Sequence, residues 1–292
     1  YSMKGIVLAG GSGTRLQPMT KVVSKQLLPI YDKPLVYYPI STLMLAGVND
    51  ILIISTPDDS QRYKNLLEHF DTLGVKLSFT TQEKPEGIAQ AFILAEEFLG
   101  DDDCMLILGD NLFFGHDLSL LLKNAVKENN GATVFGYRVS DPQRYGVIEF
   151  DKSGDIIDIV EKPLVPPSSY AVTGIYIYSN EVIKYAKNLE PSDRGELEIT
   201  DINKIFLTNN NLKTCIMGRG FTWLDTGTPD SLLEAGQFVQ MLEKRQGLKV
   251  ACLEEIAWRN SWISSKQLKS IGKKYKNTYG DYLQSLIDNQ VF

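Results

Sequence analysis

The sequence predicts an α/β fold: a mostly parallel sheet flanked by helices, an inserted β-hairpin region and a C-terminal helical extension. Three observations predict it. Short β-branched runs bounded by Gly, Asp or Pro alternate with segments of helical spacing through the first half of the chain. The first run opens directly into a glycine-rich turn, Gly10-Gly11-Ser12-Gly13. From Gly146 the texture changes to paired strand-like segments around a turn.

The apolar runs at 5–9, 51–55, 77–81, 105–108 and 132–137 read as buried strands. Between them, Leu35, Ile40, Leu43 and Met44 fall at helical spacing ahead of Gly47, and Ala91, Leu94, Ala95 and Phe98 do so ahead of Gly100. Alternation of this kind lays helices on a parallel sheet. Segments 147–150 and 156–160, joined by Asp151-Lys152-Ser153-Gly154-Asp155, predict a hairpin beside it. Thr228 and Pro229 supply an N-cap and a first-turn proline for a helix that aligns Leu232, Ala235, Phe238, Val239 and Leu242 on one face. After Gly247 a short strand-like piece precedes a tail with Lys266, Lys269, Lys273, Lys274 and Lys276, where helices are expected. The chain thus divides into an α/β domain over 3–246 and an extension over 247–292. Tyr1 and Ser2 read as additions ahead of a natural first residue, Met3.

Among the 292 residues, 30 Lys plus Arg stand against 36 Asp plus Glu, a formal net charge of −6, and 43% are hydrophobic. Such a chain builds a core that needs neither disulfides nor a structural metal. Cys104, Cys215 and Cys252 stand far apart with no C-x-x-C pair, which excludes a zinc ribbon and fits a reducing cytoplasm. No basic stripe marks nucleic acid as a partner. No apolar run approaches the roughly 18 residues that cross a bilayer, and no signal-peptide pattern opens the chain, so neither a membrane partner nor export is expected.

The glycine turn, Gly10-Gly11-Ser12-Gly13-Thr14-Arg15-Leu16, stands at the carboxyl end of a predicted parallel strand, where α/β sheets bind phosphorylated ligands. Glycines let backbone N–H groups approach a polyphosphate, and Arg15 adds a cationic fork. It is no dinucleotide fingerprint, because Leu16 occupies the last glycine position, and no Walker A, which needs Lys-Ser/Thr after the final glycine. Alone, the loop also fits a plain glycine turn. The run 104–108 ends in Gly109-Asp110, and Asp225 follows the strand-like 221–224. Two aspartates converging on phosphates suit Mg²⁺, although either alone also fits a turn or cap. His69 and His116 share no metal spacing and no nucleophile pattern.

Ser24-Lys25-Gln26-Leu27-Leu28-Pro29-Ile30, then Asp32-Lys33-Pro34, follows the glycine turn. Together these motifs are similar to those of the sugar-1-phosphate nucleotidyltransferases, from Lys4 to about Trp262. Ser24-Lys25, where uridylyl and guanylyl relatives usually carry Pro-Lys, resembles the thymidylyl branch. The resemblance implies a Rossmann-like sheet and Mg²⁺-dependent transfer of a thymidylyl group from dTTP to glucose 1-phosphate. The products would be pyrophosphate and dTDP-glucose, the start of a dTDP-sugar route such as that to dTDP-rhamnose.

The resemblance also implies roles for individual residues. Arg15, Lys25 and Lys162 are the catalytic cations, with the metal on Asp110 and Asp225. Nucleotide contacts fall to Leu8, Gly10, Gly11, Ser12, Gly13, Thr14, Arg15, Gln82, Pro85, Gly87 and Asp110, with the Gln82 amide reading the pyrimidine edge. Asn111, Tyr145, Gly146, Glu161, Lys162, Val172 and Arg194 match positions around the sugar phosphate, and the motif there includes Thr173-Gly174. A signature at 250–259 implies a homotetramer and a second site for a feedback nucleotide-sugar of the dTDP-rhamnose type, formed by Tyr38, Gly115, Glu255, Ile256 and Arg259. Leu253 and Ser261 depart from it, standing where proline and glycine are expected. A nucleotide-sugar-binding regulator without chemistry is the other reading of this fold; it would have lost a metal carboxylate or a phosphate cation, and every one stands in this sequence.

Overall fold

The computed structural model describes residues 2–288; Tyr1 and the last four residues of the predicted extension lie outside the described residues. The strand Met3–Ala9 runs through the middle of a nine-stranded sheet. Asp50–Ser55 and Asp103–Leu108 flank it in parallel, and Lys76–Thr81 continues the parallel set. Beyond Asp103–Leu108 the sheet turns antiparallel at Tyr170–Tyr178, which also pairs with Ala132–Arg138 and, at its start, with Gly146–Phe150. Gly146–Phe150 and Ile156–Glu161 form the predicted hairpin, and Leu212–Met217 lies parallel to Ala132–Arg138.

Both faces of the sheet are covered, as its near-continuous apolar runs require. Val7, Ile53 and Ile107 face one core layer with the helix Tyr37–Leu45. Ile6, Leu52 and Leu106 face the other, where the helices Glu181–Lys187 and Ile199–Thr208 pack. The extension joins the first layer through Leu253, Ala257, Leu268 and Leu283. Among the described residues no helix is long and apolar enough to cross a membrane.

Two local expectations change. The helix over 91–98 is two short ones, Gln90–Leu94 and Glu96–Leu99, because Ala95 flattens to ψ −2° between them. The strand-like piece after Gly247 pairs with no strand. Its backbone donors go to side chains instead: Lys249 N to the Tyr282 hydroxyl at 3.2 Å and Val250 N to Glu243 Oε1 at 3.1 Å. The predicted helices follow as Leu253–Arg259, Ser265–Gly272 and Thr278–Asp288.

The long helix Pro229–Gln246 starts as its sequence indicates, with Thr228 Oγ1 accepting from Ser231 N and Ser231 Oγ from Thr228 N. Near its end Glu243 enters a buried charge cluster. Lys33 Nζ lies 3.1 Å from Glu243 Oε1 and also contacts Asp32, while Lys249 Nζ reaches Asp32 Oδ2 at 2.6 Å and Glu243 Oε2 at 3.3 Å. Burial alone would raise the Asp32 carboxyl; Lys33 and Lys249 override it and hold the group below its usual value. A carboxyl lowered in the folded state stabilises above its unfolded pKa, and that contribution is lost as pH falls through the folded value. The cluster ties the short antiparallel pair Pro29–Ile30 and Lys33–Pro34, after Lys25, to the long helix and to the extension. Glu243→Ala leaves the buried Lys33 with Asp32 alone, takes a partner from Lys249 and the acceptor from Val250 N, and is expected to cost about 3 kcal/mol. Urea unfolding measures this; an unchanged midpoint contradicts it.

Candidate active site

Parallel strands place their carboxyl ends on one side, and the loops that leave them form the site. Gly109 N donates to Leu8 O at 2.9 Å, so the turn before Asp110 lies against the strand that feeds the glycine loop. Gly11 and Gly13 take φ 99° and 57°, left-handed conformations that favour glycine, and Thr20 Oγ1 clamps Gly13 O at 2.6 Å. The result is a cleft of about 440 Å³. Leu8, the loop from Gly10 to Arg15, Gln82, Pro85, Gly87 and Asp110 all line it, so the structure brings the whole predicted nucleotide set together, with Lys25 beside it.

Gln82 is buried, and its amide is oriented by Gln90: Nε2 donates to Gln90 Oε1 at 2.6 Å, and Gln90 Nε2 donates to Glu86 Oε2 at 2.9 Å. Sequence reasoning missed Gln90; its signal was the four-residue spacing from Glu86 at a helix start. Gly87, at φ 100°, passes so close to Leu197 that a Cβ would stand 2.3 Å from its carbonyl oxygen.

A second chamber of about 220 Å³ shares Ile88, Leu108 and Asp110 with the first. Asn111, Tyr145, Gly146, Glu161, Lys162 and Val172 line it, together with Asp225. Lys162 adopts a left-handed φ of 44° and its N–H donates to Tyr145 O at 2.9 Å, a strained backbone of the kind that collects at working sites. Its exposed ammonium makes no ion pair among the described residues. Arg194 is not brought into the lining: its guanidinium is committed to Glu198 at 2.8 Å and lies 3.6 Å from Glu196. Glu161 still contributes to the field around it.

The carboxylates meet where the chambers join. Asp110 accepts from Lys25 Nζ at 2.5 Å and Asn111 Nδ2 at 2.8 Å, and its carbonyl accepts from Thr226 Oγ1 at 2.7 Å, which ties the two aspartate loops together. Asp225 Oδ2 accepts from Tyr145 Oη at 3.2 Å and from Arg144 Nη2 at 3.3 Å. Burial raises the Asp225 carboxyl, Arg144 and Tyr145 pull it back, and the negative charge of Asp110 pushes it up again, leaving it above its usual value. Burial and the same carboxylate push the Tyr145 hydroxyl up to about 12. Among the described residues no group of three or more His, Cys, Asp or Glu could hold a metal. Asp110 and Asp225, both lining the second chamber, are nonetheless the oxygen donor set that a hard divalent ion takes when water and phosphate complete its shell. Arg144 was not legible as a site residue, nor was Trp223, whose Nε1 donates to Asn111 Oδ1 at 2.6 Å and whose ring tilts against Tyr145 at 5.1 Å.

The residues expected at a second site divide. Glu255, Ile256 and Arg259 share the helix Leu253–Arg259, with Arg259 Nε 2.9 Å from Glu255 Oε1 and the Tyr282 hydroxyl on Glu255 Oε2. Gly115 lies against the Phe221 ring, where a Cβ would stand 2.2 Å from a ring carbon. Tyr38 is 1% exposed and donates to Ile30 O at 2.7 Å, so in this arrangement it lies in the core and not on a binding surface. Ser261 takes φ 61°, which accounts for glycine being the expected residue there, and Leu253 is buried in the core. His116 is exposed beside Asp117, and His69 packs edge-on to Phe70.

A family profile described as nucleotidyl transferase matches residues 4–241. The chain is 53% identical over 286 residues to the glucose-1-phosphate thymidylyltransferase of Neisseria gonorrhoeae, covering 98% of this chain and 99% of that one. It is 50% identical over 289 residues to the protein of the same name from Mycolicibacterium smegmatis, covering 99% and 100%. Among solved structures, a candidate glucose-1-phosphate thymidylyltransferase from Bacillus anthracis, in complex with sucrose, matches with a TM-score of 0.75 and 42% identity over 81% of this chain and 95% of that one. A UDP-glucose pyrophosphorylase complexed with UDP-glucose matches with a TM-score of 0.72 and 25% identity over 83% and 100%.

Proposed function

Because this chain belongs to the nucleotidyl transferase family, we propose that it transfers the thymidylyl group of dTTP to glucose 1-phosphate, giving dTDP-glucose and pyrophosphate. The observation that carries this reading is the pair of chambers that share Asp110, one walled by the glycine loop and one by Lys162 and Glu161. A phosphate oxygen of the sugar attacks the α-phosphorus, and the bond to the bridging oxygen of pyrophosphate breaks. The transfer is direct, from the triphosphate to the sugar phosphate, with no nucleotidylated protein between them. Such a reaction asks the protein for positioning and charge stabilisation.

The glycine-loop N–H groups and Arg15 hold the triphosphate, and Lys25 reaches the reacting region from its place on Asp110. Lys162 positions the sugar phosphate, and Glu161 accepts from a sugar hydroxyl while Thr200 Oγ1 fixes its other side at 2.5 Å. Arg194 stands nearby on Glu198 and joins the phosphate only by leaving that partner. Asp110 and Asp225 would hold Mg²⁺, which when bound neutralises charge between the two substrates' phosphates. Gln82 reads the base, whose methyl group is worth only ~1–3 kcal/mol, so UTP is a slower substrate.

The same reading makes dTDP-glucose the entry to dTDP-sugars such as dTDP-rhamnose, formed in the cytoplasm. It gives the helix Leu253–Arg259 a regulatory site within a homotetramer, where a nucleotide-sugar slows turnover by favouring an inactive arrangement.

Purified protein given glucose 1-phosphate, Mg²⁺ and each nucleoside triphosphate in turn should release pyrophosphate fastest with dTTP; a preference for GTP or ATP contradicts the reading. Lys162→Ala and Asp225→Asn are each expected to lose at least ~100-fold in turnover with the fold intact. The raised Asp225 carboxyl lets protons compete with the cation where an ordinary carboxyl is already ionised. The Mg²⁺ concentration for half-maximal rate should therefore fall as pH rises through the range just above that of an ordinary carboxyl; a flat profile there removes Asp225 from the cation site. Arg259→Ala should blunt inhibition by dTDP-rhamnose, and light scattering should give a tetramer; full sensitivity or an active monomer counts against the regulatory site.

A further inference from the structure

Two side chains lining the sugar chamber each carry a buried polar atom with no hydrogen-bond partner among the described residues. Thr173, on the strand Tyr170–Tyr178, is 0% exposed, and Asn203, on the helix Ile199–Thr208, is 1% exposed. Thr173 Oγ1 and Asn203 Nδ2 make no hydrogen bond among the described residues. Only two other buried side-chain atoms among those residues share that condition, Asp50 Oδ1 and Thr214 Oγ1, and neither residue lines a chamber of the site. Buried polar atoms are ordinarily paired, because an orphan keeps its full desolvation penalty. Two residues that line one small chamber each carry such an orphan, which suits the chamber to a polar occupant.

Asn203 uses one end of its amide inside the protein. Its Oδ1 accepts from the buried Tyr178 hydroxyl at 2.5 Å, which leaves Nδ2 as the group without a partner. Beside Thr173, Gly174 is crowded by Asn111, with room of only 2.3 Å between a Cβ and Asn111 Oδ1, so the strand is held close against the chamber wall.

We propose that Thr173 Oγ1 and Asn203 Nδ2 hydrogen-bond ring hydroxyls of the hexose 1-phosphate and so determine which hexose the chamber accepts. The inference rests on the sugar-phosphate reading of this chamber. The chemistry is complementary: a sugar hydroxyl donates and accepts, ionised Glu161 only accepts, Asn203 Nδ2 only donates, and the Thr173 hydroxyl does either. A site whose buried polar groups need a substrate hydroxyl discriminates sharply against an analogue without it, since its own groups are then left unpaired.

The test uses the full chain with Thr173→Val, Thr173→Ser and Asn203→Asp, the last keeping an acceptor for Tyr178. Thr173→Val should raise KM for glucose 1-phosphate roughly 5- to 10-fold and leave KM for dTTP unchanged. Its thermal midpoint should stay the same or rise, because no protein hydrogen bond is lost. Thr173→Ser should restore the parent value, and Asn203→Asp should weaken the same KM. Across the monodeoxy glucose 1-phosphates, the gap between parent and Thr173→Val should close for the analogue that lacks the partner hydroxyl. Unchanged KM for glucose 1-phosphate in both Thr173→Val and Asn203→Asp overturns the inference. So does a lowered midpoint with equal losses for sugar and dTTP, which marks a structural role. A parent that turns over glucose 1-phosphate with no triphosphate overturns the reaction itself, and this inference with it.

Discussion

Two phosphorylated substrates must meet beside two carboxylates, and this concentration of negative charge is the constraint that shapes the cleft. Asp110 lies at its centre, at the end of the strand Asp103–Leu108, with Lys25 on one oxygen and Asn111 on the other. Burial first, and the charge of Asp110 after it, raise the Asp225 carboxyl even with Arg144 alongside. Cations therefore surround the junction: Arg15 and Lys25 from the glycine side, Lys162 and Arg144 from the hairpin side. No single one of them suffices for polyanions brought together in a partly buried space.

The fold serves this arrangement by dividing labour within one sheet. Its parallel half supplies loops that leave on one side and cradle phosphate. Its antiparallel half, built on Tyr170–Tyr178 and the hairpin, walls the second chamber and positions Glu161 and Lys162. The strand Phe221–Leu224 pairs with Leu112–Gly115, so Asn111 and Asp225, just outside their ends, are held in register by one short ladder. Behind the site, the cluster of Lys33, Asp32, Glu243 and Lys249 joins the segment after Lys25 to the C-terminal helices, which makes the extension part of the same core.

Features governed by local chemistry were legible in the sequence. The glycine loop, the Gly109-Asp110 strand end, the hairpin turn and the Thr228 cap each depend on a few neighbouring residues, and each has its expected form. What was not legible depends on distant partners. Arg144 matters because Asp225, far along the chain, comes to meet it; Gln90 because the loop after Lys76–Thr81 folds Gln82 back onto it; Trp223 because Asn111 needs a donor. The apolar piece after Gly247 had the composition of a strand, but side chains of Glu243 and Tyr282 took its backbone donors. Tyr38 was expected at a ligand surface, yet a neighbouring carbonyl and a core of Ile30, Leu35 and Val239 enclose it.

Direct transfer between the two chambers is the central claim, and isotope exchange tests it most directly. Enzyme, Mg²⁺, dTTP and labelled pyrophosphate are incubated without sugar phosphate. With no covalent intermediate on the protein, label should enter dTTP only when glucose 1-phosphate or dTDP-glucose is added. Exchange in the absence of any sugar would show a nucleotidylated protein and contradict the account.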